Sequence, residues 1–204
     1  MKKLVIIGAG GHGKVIADIA LKNQYTDIVF LDDNKNIYEC AGLPVKGTVE
    51  NAKDYIDWDF IIAIGDSDKR KTIFEKFEKT NFNIVSLIHP NAVISRRVYI
   101  GKGTVVMAGC VINSDTMIGK ACIINSCASV DHDGKIQDFS HISVGAHLAG
   151  NVFVGKNTWI GAGAIVLNNL SICNDTIIGA GAVVTHCIEN KGVYIGIPAR
   201  PVED

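Results

Sequence analysis

The sequence predicts two folds in tandem: a small Rossmann-like α/β domain over residues 1–88 and an all-β domain, a parallel β-helix of hexapeptide repeats, over residues 89–204. Three observations support this prediction. Strand and helix patterns alternate as far as residue 88, and a glycine-rich loop joins the first strand to the first helix. From residue 94 to residue 184 every sixth residue is aliphatic, a period that fits neither an α-helix nor a simple amphipathic strand.

In the first domain, short aliphatic runs alternate with segments of helical periodicity. The predicted strands are KLVIIGA (3–9), DIVFLDD (27–33), DFIIAIG (59–65) and NIVSLI (83–88), and the predicted helices are GHGKVIADIALKN (11–23) and SDKRKTIFEKFEKT (67–80). Ser67 is the expected N-cap of the second helix. Strands that alternate with helices lie parallel in one sheet.

The second domain is defined by one unbroken aliphatic series. Taken at every sixth position, it reads Ile94, Ile100, Val106, Ile112, Ile118, Ile124, Val130, Ile136, Ile142, Leu148, Val154, Ile160, Val166, Ile172, Ile178 and Val184. In a hexapeptide β-helix each hexapeptide makes one flat side of a triangular coil, with the aliphatic side chain inside. A small or β-branched residue four positions later fills the corner, and the turn is expected to need Gly or Asn for its positive φ. The series is long enough for about five coils.

Composition and charge argue against several classes of function. The 20 basic and 21 acidic residues nearly cancel, and no basic run stands out, so we expect no nucleic-acid partner. The apolar run Leu4–Ile7 is too short for a signal peptide, and no stretch approaches the roughly 18 apolar residues of a membrane span. The six cysteines form no C-x-x-C pair, so we expect reduced thiols in a cytoplasmic protein.

The loop Gly8-Ala9-Gly10-Gly11-His12-Gly13 satisfies the G-x-G-x-x-G pattern between a strand and a helix, and Asp32 follows on the next strand. Alone, this pattern predicts a dinucleotide site. Two observations weaken that prediction: residues 1–88 amount to one mononucleotide-binding half, and a β-helix follows in place of the second half. Amides at a helix N-terminus still favour an anion such as a pyrophosphate.

The segment SVDHDG (129–134) places a histidine between two aspartates. Three interpretations are open: a solvated corner of the coil, a metal site, or a proton-transfer site. An imidazole titrates near neutral pH, and a carboxylate on its other nitrogen fixes the tautomer and raises the basicity. No second ligand pair has the spacing of a metal site, so no metal is expected. Asp131 is expected to face away from His132 because neighbouring residues alternate across a strand.

Several segments together resemble one known family, the sialic-acid/bacillosamine type sugar acyltransferases. They are IIGAGGHGK, IVFLDD, IAIGD, SLIHPNAVIS, the hexapeptide repeat, SVDHDG, FSHISVGAHLAGNVFVG and GVYIGIPAR. The resemblance covers essentially the whole chain, and within the family it is closest to the UDP-4-amino-sugar N-acetyltransferases. It implies a left-handed parallel β-helix behind a nucleotide-sugar-binding domain, and a homotrimer with acetyl-CoA between neighbouring coils. The implied reaction is acetyl-CoA-dependent N-acetylation of a nucleotide-linked sugar, such as a UDP-4-amino-4,6-dideoxy sugar.

The resemblance also implies roles for individual residues. His132 matches the family's general base and Asp133 its acidic partner; relatives often carry glutamate there, so a longer or water-bridged contact is expected. His141, Ala162 and Ala180 match positions that contact acetyl-CoA. The implied substrate-binding residues are Gly10, Gly11 and His12 for the diphosphate or sugar, Asp32 and Asp33 for the ribose or base, and Gly65 for the base pocket. From the residues alone, Asp33 is equally well a turn residue, and Ala162 and Ala180 are equally well ordinary corners.

Other functions remain open on the sequence. One is O-acetylation of a sugar such as sialic acid, which uses a hydroxyl in place of the amine. Another is a non-catalytic nucleotide-binding scaffold, which the DHD and FSH segments argue against. An NAD-dependent oxidoreductase is the weakest alternative, because no second nucleotide-binding half follows the glycine loop.

Overall fold

The computed structural model describes residues 1–80 and 82–202. The chain divides into two compact units, Met1–Pro90 and a unit that begins at Asn91. Sequence patterning puts the domain boundary between residues 88 and 89.

The first unit is built on a four-stranded parallel sheet of strand order β2-β1-β5-β6. Its elements are β1 Lys2–Ile7, α1 Gly11–Lys22, β2 Tyr25–Leu31, β3 Glu39–Cys40, β4 Leu43–Pro44, a 3₁₀ helix Val49–Tyr55, β5 Asp59–Ile62, α2 Ser67–Lys79, β6 Asn83–Ile84 and β7 Leu87–Ile88. Four successive residues of the central strand, Leu4–Ile7, are fully buried. Burial on both faces is typical of a parallel sheet, and it explains the continuous aliphatic run in the sequence.

The two predicted helices form within one or two residues of their expected ends. The α1 helix buries the stripe Ile16, Ala17, Ile19 and Ala20. The N-cap of α2 is Asp66, whose carboxylate accepts the Lys69 N–H at 2.9 Å, and Ser67 is the first helical residue. The prediction of Ser67 as the cap was therefore wrong by one position, because both types of side chain cap helices well.

The second unit is a parallel β-helix with a two-residue strand in each hexapeptide. These strands are β8 Val93–Ile94, β9 Tyr99–Ile100, β10 Val105–Val106, β11 Val111–Ile112, β12 Met117–Ile118, β13 Ile123–Ile124, β14 Ser129–Val130, β15 Lys135–Ile136, β16 His141–Ile142, β17 His147–Leu148, β18 Phe153–Val154, β19 Trp159–Ile160, β20 Ile165–Val166, β21 Ser171–Ile172, β22 Ile177–Ile178 and β23 Val183–Val184. From β8 to β20, each strand pairs with the strand three further along, so residues 18 apart in sequence lie side by side, as in Val130↔Leu148. The last strands are β24 Val193–Ile195, parallel to β22, and β25 Arg200–Pro201, antiparallel to β24.

The interior of the coil contains the predicted aliphatic stack, and Ile112, Val130 and Leu148 are at most 1% exposed. The small corner residues contribute hydrogen bonds as well as volume. The buried hydroxyl of Thr116 donates to the Asp131 carbonyl at 2.8 Å, and that of Ser140 donates to the Gly155 carbonyl at 2.8 Å. A corner hydroxyl thus satisfies a carbonyl of the following coil that is out of reach of water.

The corners accept more residue types than the sequence suggests. Positive φ occurs at glycines such as Gly145, but also at Ala121 (47°), Cys127 (57°) and Phe139 (63°). The expectation that every turn needs Gly or Asn was therefore wrong. A left-handed conformation costs a residue other than glycine about 1–2 kcal/mol, and the ladder hydrogen bonds on both sides of each corner hold it in place.

Candidate active site

His132 and Asp133 form one corner of the β-helix, between β14 and β15. Asp133 has a φ of 60°, a conformation that aspartate tolerates better than most residues. Its carboxylate Oδ2 lies 2.8 Å from Nδ1 of His132. The expected longer or water-bridged contact is wrong, because the left-handed backbone brings the short side chain directly to the ring.

This contact defines the chemistry of the imidazole. An ionised carboxylate only accepts hydrogen bonds, so Nδ1 carries the hydrogen and Nε2 carries the lone pair. The hydrogen bond to Asp133 raises the pKa of His132 above its ordinary value, and the negative charges of Asp131 and Asp133 act in the same direction. The His132 side chain is 60% exposed, so part of the ring is accessible to a substrate.

Asp131 supports this corner by a hydrogen bond to its backbone. Its Oδ1 accepts the Asn113 side-chain amide and the His132 backbone N–H, each at 2.8 Å. The bond from Asn113 is the main reason that the pKa of Asp131 is lowered. Its carboxylate therefore holds the backbone of the base, while Asp133 holds the ring.

His141 is the first residue of β16 and points outward, since Ile142 next to it is buried. The Asn125 side-chain nitrogen lies 3.1 Å from Nε2 of His141, and the Asn125 side-chain oxygen accepts the Ser126 N–H at 2.8 Å. That second bond orients the amide, so Nδ2 is the donor and Nε2 of His141 the acceptor. A neutral His141 therefore carries its hydrogen on Nδ1.

Trp159 extends the surface around His141. The two rings are parallel within 2°, with centroids 5.8 Å apart, and the indole N–H donates to the Ser143 hydroxyl at 2.6 Å. Sequence reasoning missed Trp159, Asn125 and Asn113. The 18-residue coil contains the signal for two of them, because Trp159 is 18 positions after His141 and Asn113 is 18 positions before Asp131.

Ala162 and Ala180 lie at the same corner of two successive coils. The Ala162 carbonyl accepts the Gly181 N–H at 2.8 Å, and both alanines are exposed. Next to them, a Cβ atom built on Gly163 or Gly181 would have no neighbouring atom within 4 Å. The structure thus places these small residues along an open edge, where backbone is accessible to a thin ligand.

The structure does not bring His132 and His141 together within one chain. They are separated by nine residues, half of the 18-residue coil, so His132 stands at the corner opposite the side that carries His141. The aliphatic stack fills the space between them, with Val130 and Ile142 fully buried.

In the first unit, the glycines of the G-x-G-x-x-G loop fall into two groups. Gly8 has a φ of 106°, and a side chain at Gly13 would collide with the Gly8 carbonyl, so both serve the turn and its packing. Gly10 and Gly11 have open space where a side chain would stand, at the start of α1. These two therefore leave the helix N-terminus accessible to an anion.

His12 follows directly and is mostly buried. Burial, aided by the positive charge of Arg70, lowers the pKa of His12 to about 4, so the ring is neutral at neutral pH. Its Nε2 is buried without a hydrogen-bond partner among residues 1–80 and 82–202. Arg70 is 1% exposed and donates from Nη1 to the carbonyls of Ile64 (2.9 Å) and Gly65 (2.8 Å), which fixes the predicted Gly65 position just after β5.

Asp32 and Asp33 border a cavity of about 540 Å³, together with residues of β1, the 3₁₀ helix and α2 such as Lys69 and Thr72. Both carboxylates also have structural partners. Asp32 accepts the backbone N–H of Ala9 at 2.7 Å and of Asn34 at 2.8 Å, and Asp33 accepts that of Val49 at 3.0 Å. Each carboxylate oxygen accepts more than one hydrogen bond, so these contacts orient the groups and leave acceptor capacity for a ligand.

Within residues 1–80 and 82–202, neither a metal centre nor a membrane-spanning helix accompanies these sites. Among the residues described, no three or more His, Cys, Asp or Glu side chains converge to hold a metal ion. No helix in the described part of the chain is long and apolar enough to cross a bilayer. All six cysteines are free, and the cytoplasmic location stays a prediction.

Comparisons with protein families match both units. Residues 3–77 match the PglD N-terminal domain family, and residues 151–186 match the bacterial transferase hexapeptide family of six repeats. UDP-N-acetylbacillosamine N-acetyltransferase of Bacillus subtilis is 37% identical over 113 residues, which are 53% of this chain and 52% of that protein. The chain thus aligns with about half the length of this relative.

Solved structures match over the full length. The acetyltransferase domain of PglB from Neisseria gonorrhoeae is 38% identical with a TM-score of 0.96, over 99% of this chain and 100% of that one. A variant of perosamine N-acetyltransferase from Caulobacter crescentus, in complex with CoA and GDP-perosamine, is 35% identical with a TM-score of 0.96, over 100% of this chain and 98% of that one. These matches confirm the predicted fold class. The chain therefore belongs to the sialic-acid/bacillosamine type sugar acyltransferases, the left-handed β-helix family that its motifs resemble.

Proposed function

We propose that the protein is an acetyl-CoA-dependent N-acetyltransferase acting on the amino group of a nucleotide-linked sugar. The observation that carries this proposal is the His132–Asp133 pair at 2.8 Å, exposed on a family scaffold whose relatives are sugar N-acetyltransferases. Structures of the Neisseria domain with acetyl coenzyme A and of the Caulobacter enzyme with CoA and GDP-perosamine support the two substrate classes.

In the proposed reaction His132 is the general base. The sugar amine attacks the thioester carbonyl, a C–N bond forms and the C–S bond breaks. The nitrogen loses a proton to Nε2, which carries the lone pair because Nδ1–H is held by Asp133. The departing thiolate of CoA then takes a proton, and the neutral imidazole is restored. A positioned base of this kind contributes about 10²–10⁴-fold to the rate.

We assign the nucleotide sugar to residues 1–88. The supporting features are the open helix N-terminus at Gly10 and Gly11, the buried Nε2 of His12, which has no hydrogen-bond partner in the described part of the chain, and the cavity beside Asp32 and Asp33. Gly65 lies just after the strand β5, next to Ile64 of the same cavity. The name of the Bacillus relative specifies a UDP-linked sugar. A UDP-4-amino-4,6-dideoxy sugar is therefore the first substrate to test, followed by its GDP counterpart.

We assign acyl transfer to residues 89–204 and propose that it requires a homotrimer. His132 and His141 are on opposite sides of one prism with a packed interior between them, so a single ligand reaches both only if they come from two copies. Exposed apolar residues on the outer faces, including Tyr99, Met117 and Trp159, supply surface for such contacts. Acetyl-CoA would then lie between coils of neighbouring protomers, along Ala162 and Ala180 and beside His141.

The activity is tested by a screen of UDP-, GDP- and CMP-linked amino sugars with acetyl-CoA, in which free CoA thiol is the readout. We expect thiol release that depends on the amino sugar, with an amide as the product by mass spectrometry. Free sialic acid serves as the competing hydroxyl substrate. Thiol release with sialic acid and with none of the amino sugars would overturn the assignment of N-acetylation.

The composite site is tested by mixing two impaired variants. His132→Ala and His141→Ala proteins, dissociated and reassembled together, form mixed trimers in which some sites have both histidines. We expect the mixture to be more active than either parent, measured at an acetyl-CoA concentration that limits the His141→Ala parent. Absence of recovery, with mixed assembly verified by differently tagged chains, would show that one chain supplies both residues.

A further inference from the structure

Gly150 lies one coil after His132, directly beneath the imidazole. A Cβ atom built on Gly150 would stand 2.5 Å from Nε2, 2.6 Å from Cε1 and 3.2 Å from Cδ2 of His132. Ordinary contacts of a Cβ atom fall between 3.4 and 4 Å. The ring of His132 therefore occupies the volume that any side chain at position 150 would need.

The backbone does not require glycine at this position. The φ of Gly150 lies outside the left-handed region, whereas glycines such as Gly145 and Gly163 have φ values of 62° and 66°. The equivalent residues of the neighbouring coils, 18 positions away on either side of this pair, are Ser114 and Asn168. The corner thus accepts side chains in other coils, and the glycine coincides with the one coil that follows His132.

We propose that Gly150 is a positioning residue whose missing side chain provides the space in which the His132 imidazole sits against Asp133. This inference rests on the proposed function, because it concerns the same base. A methyl group at position 150 would displace the ring by about 1 Å to restore an ordinary contact, enough to break a 2.8 Å hydrogen bond. It would also stand next to Nε2, the atom that accepts the proton from the incoming amine.

The test is Gly150→Ala, with Asn168→Ala as the matched control at the same corner of the next coil. For Gly150→Ala we expect kcat to fall at least about tenfold, and at most by the about 10²–10⁴-fold expected for loss of the base. The KM for the nucleotide sugar should stay unchanged, because that substrate is assigned to the first unit. For Asn168→Ala we expect wild-type kinetics. Wild-type kcat in Gly150→Ala would overturn the proposal.

Two further measurements do not depend on activity. In Gly150→Ala, an NMR titration should show the His132 pKa lowered from its raised wild-type position toward the ordinary value of about 6.5, since the Asp133 bond is lost. The drop in Tm caused by Gly150→Ala should disappear in a His132→Ala background, because the ring that the methyl group displaces is gone. An unchanged His132 titration, or an equal drop in Tm in both backgrounds, would refute the proposal that Gly150 leaves space for the His132 ring. If the chain lacks acetyltransferase activity, the titration and the Tm comparison still decide this inference separately.

Discussion

Replacing Asp133 by asparagine is the most informative single change at the proposed base. Asparagine keeps the size of the side chain and also tolerates the φ of 60° at this corner. It removes the negative charge and offers an NH₂ group that competes as a donor to Nδ1. With Nδ1 accepting, the hydrogen of a neutral ring moves to Nε2, and the ring no longer accepts a proton from the amine.

The size of the effect follows from exposure. The side chains of His132 and Asp133 are 60% and 57% exposed, so water screens the pair and allows the ring to reorient. For a metal-binding histidine, loss of the partner that orients the ring typically costs about 10–100-fold in affinity or activity. We expect the plateau of kcat/KM to fall by about this factor, less than for removal of the base itself.

The pH dependence of kcat/KM gives a second prediction, in a defined direction. The base must be neutral, so activity rises as pH increases through the His132 pKa, which Asp133 raises in the wild type. Asparagine lowers that pKa toward about 6.5, and the acidic limb of kcat/KM should therefore move to lower pH. Thiol release measured from about pH 5 to about pH 9 covers this limb.

The matched control is Asp115→Asn, the same corner position one coil earlier, with a φ of 62° and an ion pair to Arg97. We expect this control to keep the wild-type plateau of kcat/KM and the wild-type position of its acidic limb. An unchanged plateau and limb in Asp133→Asn would contradict the role of the carboxylate, and an equal loss in Asp115→Asn would point to a general effect on the corner.

Three further predictions test the fold and the supporting residues. Ile142→Ala should lower the free energy of unfolding by about 2–5 kcal/mol and Ile142→Val by about 0.5–1.5 kcal/mol in denaturant titrations, because the side chain is fully buried in the stack; equal effects would contradict tight packing. Asn125→Ala should raise the KM for acetyl-CoA by releasing His141, with secondary structure by circular dichroism unchanged. Arg70→Met should cost about 1–3 kcal/mol for the unpaired carbonyls and raise the pKa of His12 from about 4, measured by denaturant unfolding and NMR titration; an unmoved pKa would refute the charge effect.

Periodicity was sufficient to predict the β-helix because one rule repeats without interruption. Each aliphatic residue of the series from Ile94 to Val184 marks a side chain that points into the coil. Once the first is placed, the position of every later strand follows. The small corner residues are less informative, since backbone ladders enforce positive φ even on Phe139. Exact helix caps are likewise underdetermined where two capping residues are adjacent, as at Asp66 and Ser67.

The candidate site was predictable only in part. The DHD triplet is visible because its members are adjacent in sequence, and the family resemblance singles out His132 within it. The residues that support the site come from neighbouring coils or helices: Asn113, which donates to Asp131, and Arg70, whose charge acts on His12. Such partners become visible only after the 18-residue coil or the sheet order is known, because the chain brings together residues that no local motif connects.

The central claim is that His132 accepts the proton of an attacking amine, and single-turnover acetyl transfer by His132→Ala tests it most directly. With a nucleotide-linked amino sugar and acetyl-CoA bound at saturating concentrations, we predict transfer about 10²–10⁴-fold slower than in the wild type, with an unchanged Kd for the sugar nucleotide. Transfer at the wild-type rate, with the sugar nucleotide still bound, would contradict the claim.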